Sequence, residues 1–294
     1  MISILIPTYN YTVTKLVKTL YNQAIKQKVP FEIIVLDDGS SNEDIHAENK
    51  EINKLEQCHY FESTKNKGRS LARGYLAEKA SYDWLLFLDA DVMPKDERFI
   101  ENYIQHIQTS TSEVVSGGIV YDKSKPSKEK MLRWEYGRKR EAKSAILRSK
   151  TPYFIVTGNL LIKKEIFQKI NTVTDNLYGE DLVLSQHIKD KKLSVSHIEN
   201  PVVHLGLESS TEFLKKSLQA VENIYIFEKN NELTQDFTKL QQTYVTYKPV
   251  MPVLTFFTKA TKTFIIKNLL SQKPSLFLFD IYKLYQYTTL KRNA

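Results

Sequence analysis

Cysteine is almost absent from this sequence, since Cys58 is the only one in 294 residues. A single thiol cannot form an intramolecular disulfide, and it cannot build a thiolate metal cluster within one chain. Disulfides are typical of oxidising compartments, so the composition favours a reducing, intracellular setting. We therefore expect a hydrophobic core to stabilise the fold, and the chain is long enough to bury one.

Long apolar runs are also lacking. No segment approaches the roughly 20 apolar residues that a membrane-spanning helix needs. The apolar run at residues 2–6 is short and has no basic leader, so we expect no signal peptide. We expect the protein to be cytoplasmic, with the cytosolic face of the membrane as a further expected location.

Glycine is scarce, and no Gly-x-Gly-x-x-Gly pattern occurs among the 9 glycines. That absence argues against a dinucleotide-dependent oxidoreductase. A nucleotidyltransferase of similar fold would normally carry a glycine-rich phosphate loop after its first strand, where this chain reads Pro-Thr-Tyr-Asn at positions 7–10. A nucleotidyltransferase is therefore an alternative, but a disfavoured one.

The charge is basic, with 42 Lys and Arg against 34 Asp and Glu, a net charge of +8. This balance favours acidic partners such as nucleotide diphosphates, anionic lipid or nucleic acid, without choosing among them. Residues 123–150 are rich in Lys and Arg, which leaves a nucleic-acid-binding module as an alternative. Acidic clusters at the predicted strand ends argue against it, and we expect no nucleic-acid partner.

The first half of the chain alternates short apolar runs with segments of helical periodicity. Strands are predicted at residues 2–6, 31–36 and 84–88, and helices at residues 14–26, 45–55 and 69–79, with Asn42 as a helix cap. This alternation predicts an α/β fold with a mostly parallel central sheet flanked by helices. Ligands of such sheets bind beyond the carboxyl ends of the strands, where the polar clusters of this sequence stand.

The second half is less regular. Further strands are predicted at residues 113–121, 154–156, 160–162, 193–198 and 202–205, and helices after residue 181 and at residues 211–230. Residues 123–150 are predicted to form a surface helix or a mobile loop. From residue 237 onward Lys, Tyr and Phe dominate and Asp280 is the only acidic residue, so we expect a basic, aromatic helical extension at residues 237–294 that includes a helix at 253–270.

Asp89, Ala90 and Asp91 follow the buried strand predicted at residues 84–88. Residues two apart on a strand point the same way, so both carboxylates can face the ligand crevice. Hard oxygen ligands suit Mg²⁺ or Mn²⁺, which would neutralise charge on a diphosphate leaving group. An isolated Asp-x-Asp is more often a polar turn, but the preceding strand favours the metal site.

Asp37 and Asp38 end the second predicted strand. They could accept hydrogen bonds from a nucleobase or ribose, or they could cap the following helix. Residues 66–74 combine glycines with three cations at a predicted helix start, an arrangement that suits a diphosphate but also occurs as a solvated basic cap.

Glu180 and Asp181 stand at another predicted helix start. A carboxylate there could take the proton of an acceptor hydroxyl, or it could serve as a cap that interacts with the helix dipole. His204 could be a third metal ligand, although a lone histidine is more often structural.

Taken together, these motifs resemble the nucleotide-sugar-dependent glycosyltransferases of family 2 over residues 1–206. Five ordered segments carry the resemblance: residues 7–10, 32–40, 66–68 with 72–73, 87–91, and 179–182. It implies a GT-A-like, nucleotide-diphospho-sugar transferase fold. It also implies an inverting displacement that moves a sugar from a nucleotide diphosphate donor, most often a uridine diphosphate, to an acceptor hydroxyl.

The resemblance also implies roles by position. Asp181 would be the general base, with Glu180 assisting orientation or acceptor binding. The cofactor would be Mn²⁺ or Mg²⁺, with Asp91 as the more direct ligand and Asp89 and His204 beside it. Nucleotide-sugar contacts are implied for Pro7, Thr8, Tyr9, Asp37, Asp38, Lys67, Arg73, Asp89 and Ala90.

Departures from the family pattern qualify these roles. Gly74 stands where the family often has Asn, and Val92 replaces a frequent third Asp. The Gln-x-x-Arg-Trp signature of processive synthases is absent, so we expect a single-addition enzyme of cell-surface glycan or polysaccharide synthesis.

The implied organisation is a catalytic domain at residues 1–236, with a nucleotide-binding half at about 1–92 and an acceptor half at about 93–236. The expected acceptor is a glycan or a lipid-linked molecule. Residues 237–294 would either contact the membrane surface or pack on the main domain.

Overall fold

The computed structural model describes residues 1–172 and 177–292, and these residues form two compact units. The first unit comprises Met1–Val120, residues 142–172 and His187–Gly206. The second comprises Tyr121–Glu141, Leu177–Gln186 and residues 207–292.

The strands and helices alternate through the first part of the chain, and helices alone follow residue 206 in the described part. The strands are β1 (Ile2–Thr8), β2 (Phe31–Asp37), β3 (Cys58–Glu62), β4 (Trp84–Leu88), β5 (Val92–Pro94), β6 (Val114–Ser116), β7 (Ile119–Tyr121), β8 (Asn159–Lys163), β9 (Val195–His197) and β10 (Val202–His204). The α-helices are α1 (Thr14–Ala24), α2 (Glu43–Lys50), α3 (Arg69–Lys79), α4 (Phe99–Thr109), α5 (Met131–Tyr136), α6 (Ala145–Ser149), α7 (Lys164–Ile170), α8 (Glu180–Asp190), α9 (Ser210–Lys229), α10 (Lys239–Thr246), α11 (Met251–Leu269) and α12 (Leu276–Arg292).

The main sheet of the first unit has, among the described residues, seven strands in the order β3-β2-β1-β4-β8-β6-β9. Strands β1 to β4 are mutually parallel, β8 is antiparallel to β4 and β6, and β9 is parallel to β6. The prediction of a mostly parallel sheet flanked by helices is confirmed. Because β1, β2 and β4 run in one direction, their carboxyl ends lie at the same edge, with Thr8 paired to Asp37.

The core of the first unit explains why these strands are so apolar. Every residue of β2 is buried, as is typical of a parallel strand covered on both faces. Helix α1 presents Leu16, Val17 and Leu20 to the same apolar cluster as Ile4 and Val35. Asn42 caps α2, as predicted, by accepting hydrogen bonds from the backbone N–H groups of Asp44 and Ile45.

Residues 113–121 do not form the single strand that the sequence predicts. The chain breaks at Gly117 and Gly118, so that β6 joins the main sheet and β7 joins a second sheet with β5 and β10. Gly118 adopts a φ of +88°, which strongly favours glycine. A side chain at Gly117 would overlap the Tyr103 hydroxyl and the Asn159 amide. Close packing, which a hydropathy pattern does not report, thus divides the predicted strand.

The second unit corrects the prediction for the first part of residues 123–150, which were expected to form a surface helix or a mobile loop; the later part does contain a surface helix, α6. Their central segment is helix α5, and Leu132 and Trp134 on it are buried. Trp134 donates its indole N–H to the carbonyl of Asp122 over 2.9 Å. This basic segment therefore has a short apolar face, which packs with α9, α11 and α12. The shared cluster is formed by Leu132, Phe213, Leu214, Ile265, Leu269, Phe279 and Tyr282.

The predicted C-terminal helical extension is confirmed as α10, α11 and α12. A buried carboxylate, Glu228 of α9, connects α10 and α12. It accepts hydrogen bonds from the Gln241 amide over 2.6 Å and from the Tyr287 hydroxyl, and it forms an ion pair with Lys291. Across the described residues, every helix falls short of the length or the apolar character needed to cross a membrane.

Candidate active site

Asp89 and Asp91 occupy the turn between β4 and β5, at the carboxyl edge of the main sheet. Their side chains are 28% and 30% exposed, so both are partly buried and both remain accessible to a ligand. The strand–Asp-x-Asp arrangement predicted from the sequence is therefore present.

Asp89 is held by a buried cation. The guanidinium of Arg73, which is buried on α3, donates a hydrogen bond to Asp89 Oδ1 over 3.0 Å. Burial by itself raises the pKa of the Asp89 carboxyl, but the charges of Arg73, Arg69 and His204 outweigh it and leave the pKa below its ordinary value. Asp89 is therefore ionised at neutral pH and is partly neutralised from within the chain.

Asp91 has a different neighbour. Its Oδ2 lies 3.4 Å from Nε2 of His204. The second sheet creates this pair, because β10 is antiparallel to β5 and places His204 opposite Val92. Burial raises the pKa of Asp91, His204 lowers it and the charge of Asp89 raises it, with a net upward shift. A cation beside Asp91 would favour its ionised form.

Two glycines make room for the two carboxylates, and the sequence assigned no role to either. A Cβ atom at Gly158 would lie 2.5 Å from Asp89 Oδ2, and one at Gly206 would overlap Asp91 Oδ2. Tyr11 is a further neighbour that the sequence missed, since burial and then the charge of Asp91 raise its pKa. Only weak signals in the sequence pointed to these three residues. Each glycine stands beside a predicted strand, and Tyr11 directly follows residues 7–10.

The loops after β1 and β2 are bonded to each other at the same edge. Asn10, with a φ of +50°, donates its backbone N–H to Ser40 Oγ over 2.7 Å and accepts from the N–H of Ser41 over 2.9 Å. Thr8 is buried, and its hydroxyl donates to the carbonyl of Tyr11. Tyr9 is exposed, so its ring is accessible for stacking on a ligand.

Asp37 is fully buried beneath this loop pair. Its carboxylate accepts hydrogen bonds from the backbone N–H of Ser40 over 2.8 Å and from the Tyr60 hydroxyl over 3.0 Å. His46 Nδ1 lies 3.5 Å from the second oxygen. Asp37 thus fixes the turn that follows β2, and the cap of α2 is Asn42 rather than either aspartate.

Asp38 anchors the start of α3. Its two oxygens accept the backbone N–H groups of Lys67 and Gly68, each over 2.9 Å. Burial raises the pKa of Asp38, and these two hydrogen bonds act against that rise. The contact leaves the side chains of Lys67 and Arg69 exposed at the helix N-terminus. Nucleotide contacts by Asp37 and Asp38 stay predictions.

Glu180 and Asp181 belong to the second unit, where they begin α8. Glu180 is buried and accepts the backbone N–H of Gly179 over 3.2 Å, whereas Asp181 is partly exposed. The backbone of this turn is closed by a hydrogen bond from Leu182 N–H to the Gly179 carbonyl. The first unit brings the other predicted site residues together at one sheet edge, while these two carboxylates are placed on a separate element.

The donor set for a metal is small. Within residues 1–172 and 177–292, no group of three or more His, Cys, Asp or Glu side chains could hold a metal ion. Asp91 and His204 supply an oxygen and a nitrogen 3.4 Å apart, and Oδ1 of Asp89 is bonded to Arg73. The three predicted ligands are neighbours, but they do not form a closed protein cage.

The mostly parallel α/β sheet with a polar carboxyl edge is the fold of the GT-A glycosyltransferases. The family model for glycosyl transferase family 2 matches residues 3–170, more than half of the 294 residues. The chain therefore belongs to glycosyl transferase family 2, as the motifs predicted.

A curated relative supports this assignment over part of the chain. It is an uncharacterized glycosyltransferase of Haemophilus influenzae, 33% identical over 93 residues, which cover 31% of this chain and 36% of the relative. The chain thus matches little more than a third of that relative's length, and it covers 39% of one S. aureus TarS structure.

Solved structures share the fold at low identity. The mannosyltransferase PcManGT from Pyrobaculum calidifontis, in complex with GDP-Man and Mn²⁺, is 14% identical with a TM-score of 0.61, and the match covers 98% of this chain and 86% of that one. S. aureus TarS 1–349, in complex with UDP-GlcNAc, is 17% identical with a TM-score of 0.51 and coverages of 99% and 92%. These likenesses confirm the predicted GT-A-like fold, and the residue roles stay predictions.

Proposed function

We propose that this protein transfers a sugar from a nucleotide diphosphate donor, in the first instance a UDP-sugar, to an acceptor hydroxyl. The reaction would invert the anomeric centre and add one sugar at a time, in the synthesis of a cell-surface glycan. The observation that carries the proposal is the paired turn at the end of β4, where Arg73 holds Asp89 and His204 faces Asp91. The related structures with UDP-GlcNAc and with GDP-Man and Mn²⁺ support a nucleotide-sugar donor.

Donor binding is assigned to the loops at the carboxyl edge of the first unit, within residues 1–92. The nucleoside would lie against Tyr9 and the buried turn held by Asp37 and Asp38. The diphosphate would lie at the N-terminus of α3, where exposed Lys67 and Arg69 accompany the backbone N–H groups of the first helical turn. Helix N-termini bind phosphate groups through these N–H groups and the helix dipole.

The metal ligands that the protein offers fit Mn²⁺ or Mg²⁺ as a cofactor, and the substrate would supply further ligands. Asp91 and His204 would hold the ion. Asp89 would orient the nucleotide-sugar donor, and Arg73 would neutralise the charge of Asp89. A small protein donor set is what Mg²⁺ sites on nucleotide substrates commonly have, because phosphate oxygens and water complete the coordination. When bound, such an ion stabilises the negative charge that develops on the leaving diphosphate.

We assign Asp181 as the general base that takes the proton of the acceptor hydroxyl. A carboxylate in the first turn of a helix is stabilised as an anion by the helix dipole, which suits a base that must be ionised before it accepts a proton. Proton abstraction by a positioned carboxylate contributes roughly 10²–10⁴ in rate. The buried Glu180 would position this turn, since its carboxylate accepts the N–H of Gly179.

The first test is a panel of nucleotide sugars, scored by slow donor hydrolysis with Mn²⁺ present. We expect hydrolysis of one donor, its loss in chelator, and its loss in Asp91→Ala. Normal donor turnover by a folded Asp91→Ala protein in chelator would remove the metal assignment. Salt-dependent oligonucleotide binding, with no response to Mn²⁺ or nucleotide sugar, would favour the nucleic-acid-binding alternative.

The second test separates donor binding from proton transfer. We expect Asp181→Asn to bind the nucleotide with unchanged affinity in isothermal titration and to lose transfer by about 10²-fold or more. Asp190→Asn is the matched control, because it makes the same change at the other end of α8. Transfer at the wild-type rate by Asp181→Asn would end the assignment of the base.

A further inference from the structure

Helix α11 is apolar on two opposite faces, and the described chain covers one of them. The covered face carries Met251, Thr258, Ile265 and Leu269, all of which are buried. Ile265 and Leu269 belong to the same apolar cluster as α12, and the Thr288 hydroxyl on α12 donates to Met251 Sδ over 3.4 Å. This face fixes α11 to its neighbour.

The other face is aromatic and exposed. Val253, Phe256, Phe257 and Phe264 expose 59%, 70%, 61% and 66% of their surface. Val253, Phe257 and Phe264 follow at intervals of four and seven residues, which places them on one stripe of the helix, with Phe256 beside it. We call these four side chains the aromatic face. Soluble proteins seldom leave large apolar residues clustered in this way unless another surface covers them.

The charges around the aromatic face identify the kind of surface. Three lysines of α11 are exposed, and two more follow or precede the helix: Lys259, Lys262 and Lys267, with Lys248 and Lys273. Asp280 is the only acidic residue after position 236, and it forms ion pairs with Arg140 at 2.7 Å and Lys283 at 3.2 Å. A second copy packed on this face would bring like charges together, with Lys267 beside Phe256 and Phe264 on each helix, whereas anionic phospholipid headgroups would be complementary to the lysines.

We propose that α11 lies in the plane of a membrane that contains anionic phospholipid, with the aromatic face inserted at the headgroup level. The helix has 19 residues, roughly 28 Å, but it is not apolar enough to span a bilayer. Lysines and aromatic residues are interspersed along the helix, a composition that is typical of helices lying in the interface. This surface goes beyond the proposed sugar transfer and would place the second unit on the membrane whatever the donor is.

The test is flotation of the full chain with vesicles of phosphatidylcholine, with or without phosphatidylglycerol. We expect binding to the anionic vesicles that weakens with salt, and little binding to phosphatidylcholine alone. Substitution of Phe256→Ser or Phe264→Ser should lower the partition coefficient by about tenfold each. Lys259→Gln and Lys267→Gln should each lower it by about fivefold on anionic vesicles.

The matched control is Ile146→Ser, which removes a 78% exposed apolar side chain from the first unit and should float like the wild type. All the substituted side chains are exposed, so thermal unfolding and donor hydrolysis in solution should not change. Failure of this inference is therefore distinct from failure of the proposed function. Equal flotation of the wild type and Phe264→Ser would overturn it. A dimer that Phe264→Ser dissociates, without any change in vesicle binding, would assign the aromatic face to a second copy instead and would equally overturn it.

Discussion

Substitution of Gly206 is the most direct test of the candidate site, because this residue makes room for Asp91 by having no Cβ atom. A Cβ at this position would overlap Oδ2 and crowd Cγ and Cβ of Asp91. Gly206→Ala must therefore move the Asp91 carboxylate, while the backbone at Gly206 needs no positive φ. Rotation about χ1 can move Oδ2 and Cγ of Asp91 but not its Cβ, so we also expect a small adjustment of the local backbone.

The magnitude follows from that displacement. A shift of about 1 Å in a positioned catalytic group costs about 10²-fold in rate. We therefore expect kcat/KM for transfer to fall by about 10²-fold, with a weaker dependence on Mn²⁺ concentration. Local overpacking should cost about 1 kcal/mol or somewhat more in the free energy of unfolding. Steady-state kinetics across a Mn²⁺ titration, combined with urea unfolding, measures both effects.

Gly74→Ala is the matched control. Its Cβ would lie 3.3 Å from the amide nitrogen of the Asn171 side chain, which donates a hydrogen bond to the Ser70 carbonyl over 3.2 Å. Gly74 stands inside helix α3, where alanine is favoured by about 0.5–1 kcal/mol; displacement of the Asn171 amide opposes that gain, so we expect a small net change in stability and an unchanged Mn²⁺ dependence. Wild-type kcat/KM and Mn²⁺ dependence in Gly206→Ala would refute the reasoning that this glycine makes room for Asp91.

Three other substitutions test the surroundings of the site and the fold. Arg73→Met should destabilise the protein by about 2 kcal/mol in urea unfolding at neutral pH, because Asp89 loses a charged hydrogen bond; equal stability would contradict the assigned pairing. The pKa of His46 is raised, first by the hydrogen bond to the Ser40 carbonyl, so its contribution is fully present below about pH 6.5 and is lost as the pH rises through the folded pKa. The stability gap between the wild type and His46→Gln should therefore be larger at acidic than at alkaline pH, and a gap that grows with pH would contradict this sign. Leu132→Ala should cost about 2–5 kcal/mol if α5 is part of the core, whereas a surface helix would lose far less.

Local sequence signals were sufficient for the elements that lead into the site. Helix α3 and strand β4 have the predicted bounds, because each is a clear apolar pattern bounded by glycine or polar residues. The cap at Asn42 was also predictable, since the residue type and the following acidic turn determine it locally. By contrast, β3 was not predicted: Cys58 and Tyr60 are buried while His59 is exposed, and so short an alternation gives little signal.

The residue patterns alone did not reveal the long-range contacts, although the family resemblance implied His204 as a ligand beside Asp91. The pairing of His204 with Asp91 depends on the register of β10 against β5, and the two residues are more than one hundred positions apart. The roles of Gly158 and Gly206 depend on which carboxylate each one faces, and nothing in the neighbouring residues reports this. Both faces of α11 are apolar in the sequence, so only packing reveals which one the chain covers.

The two carboxylates of the Asp-x-Asp turn have different electrostatic partners, and this difference argues for different roles. Asp89 already has the buried Arg73 guanidinium, and its pKa lies below the ordinary value. The pKa of Asp91 is raised, because burial and the nearby charge of Asp89 outweigh the effect of His204. An added divalent cation therefore gains more from Asp91, whose charge is the less compensated of the two. The Asp-x-Asp spacing alone does not distinguish the pair, but their neighbours favour the assignment that the family resemblance implied, with Asp91 as the more direct metal ligand and Asp89 as a residue held in place for the donor.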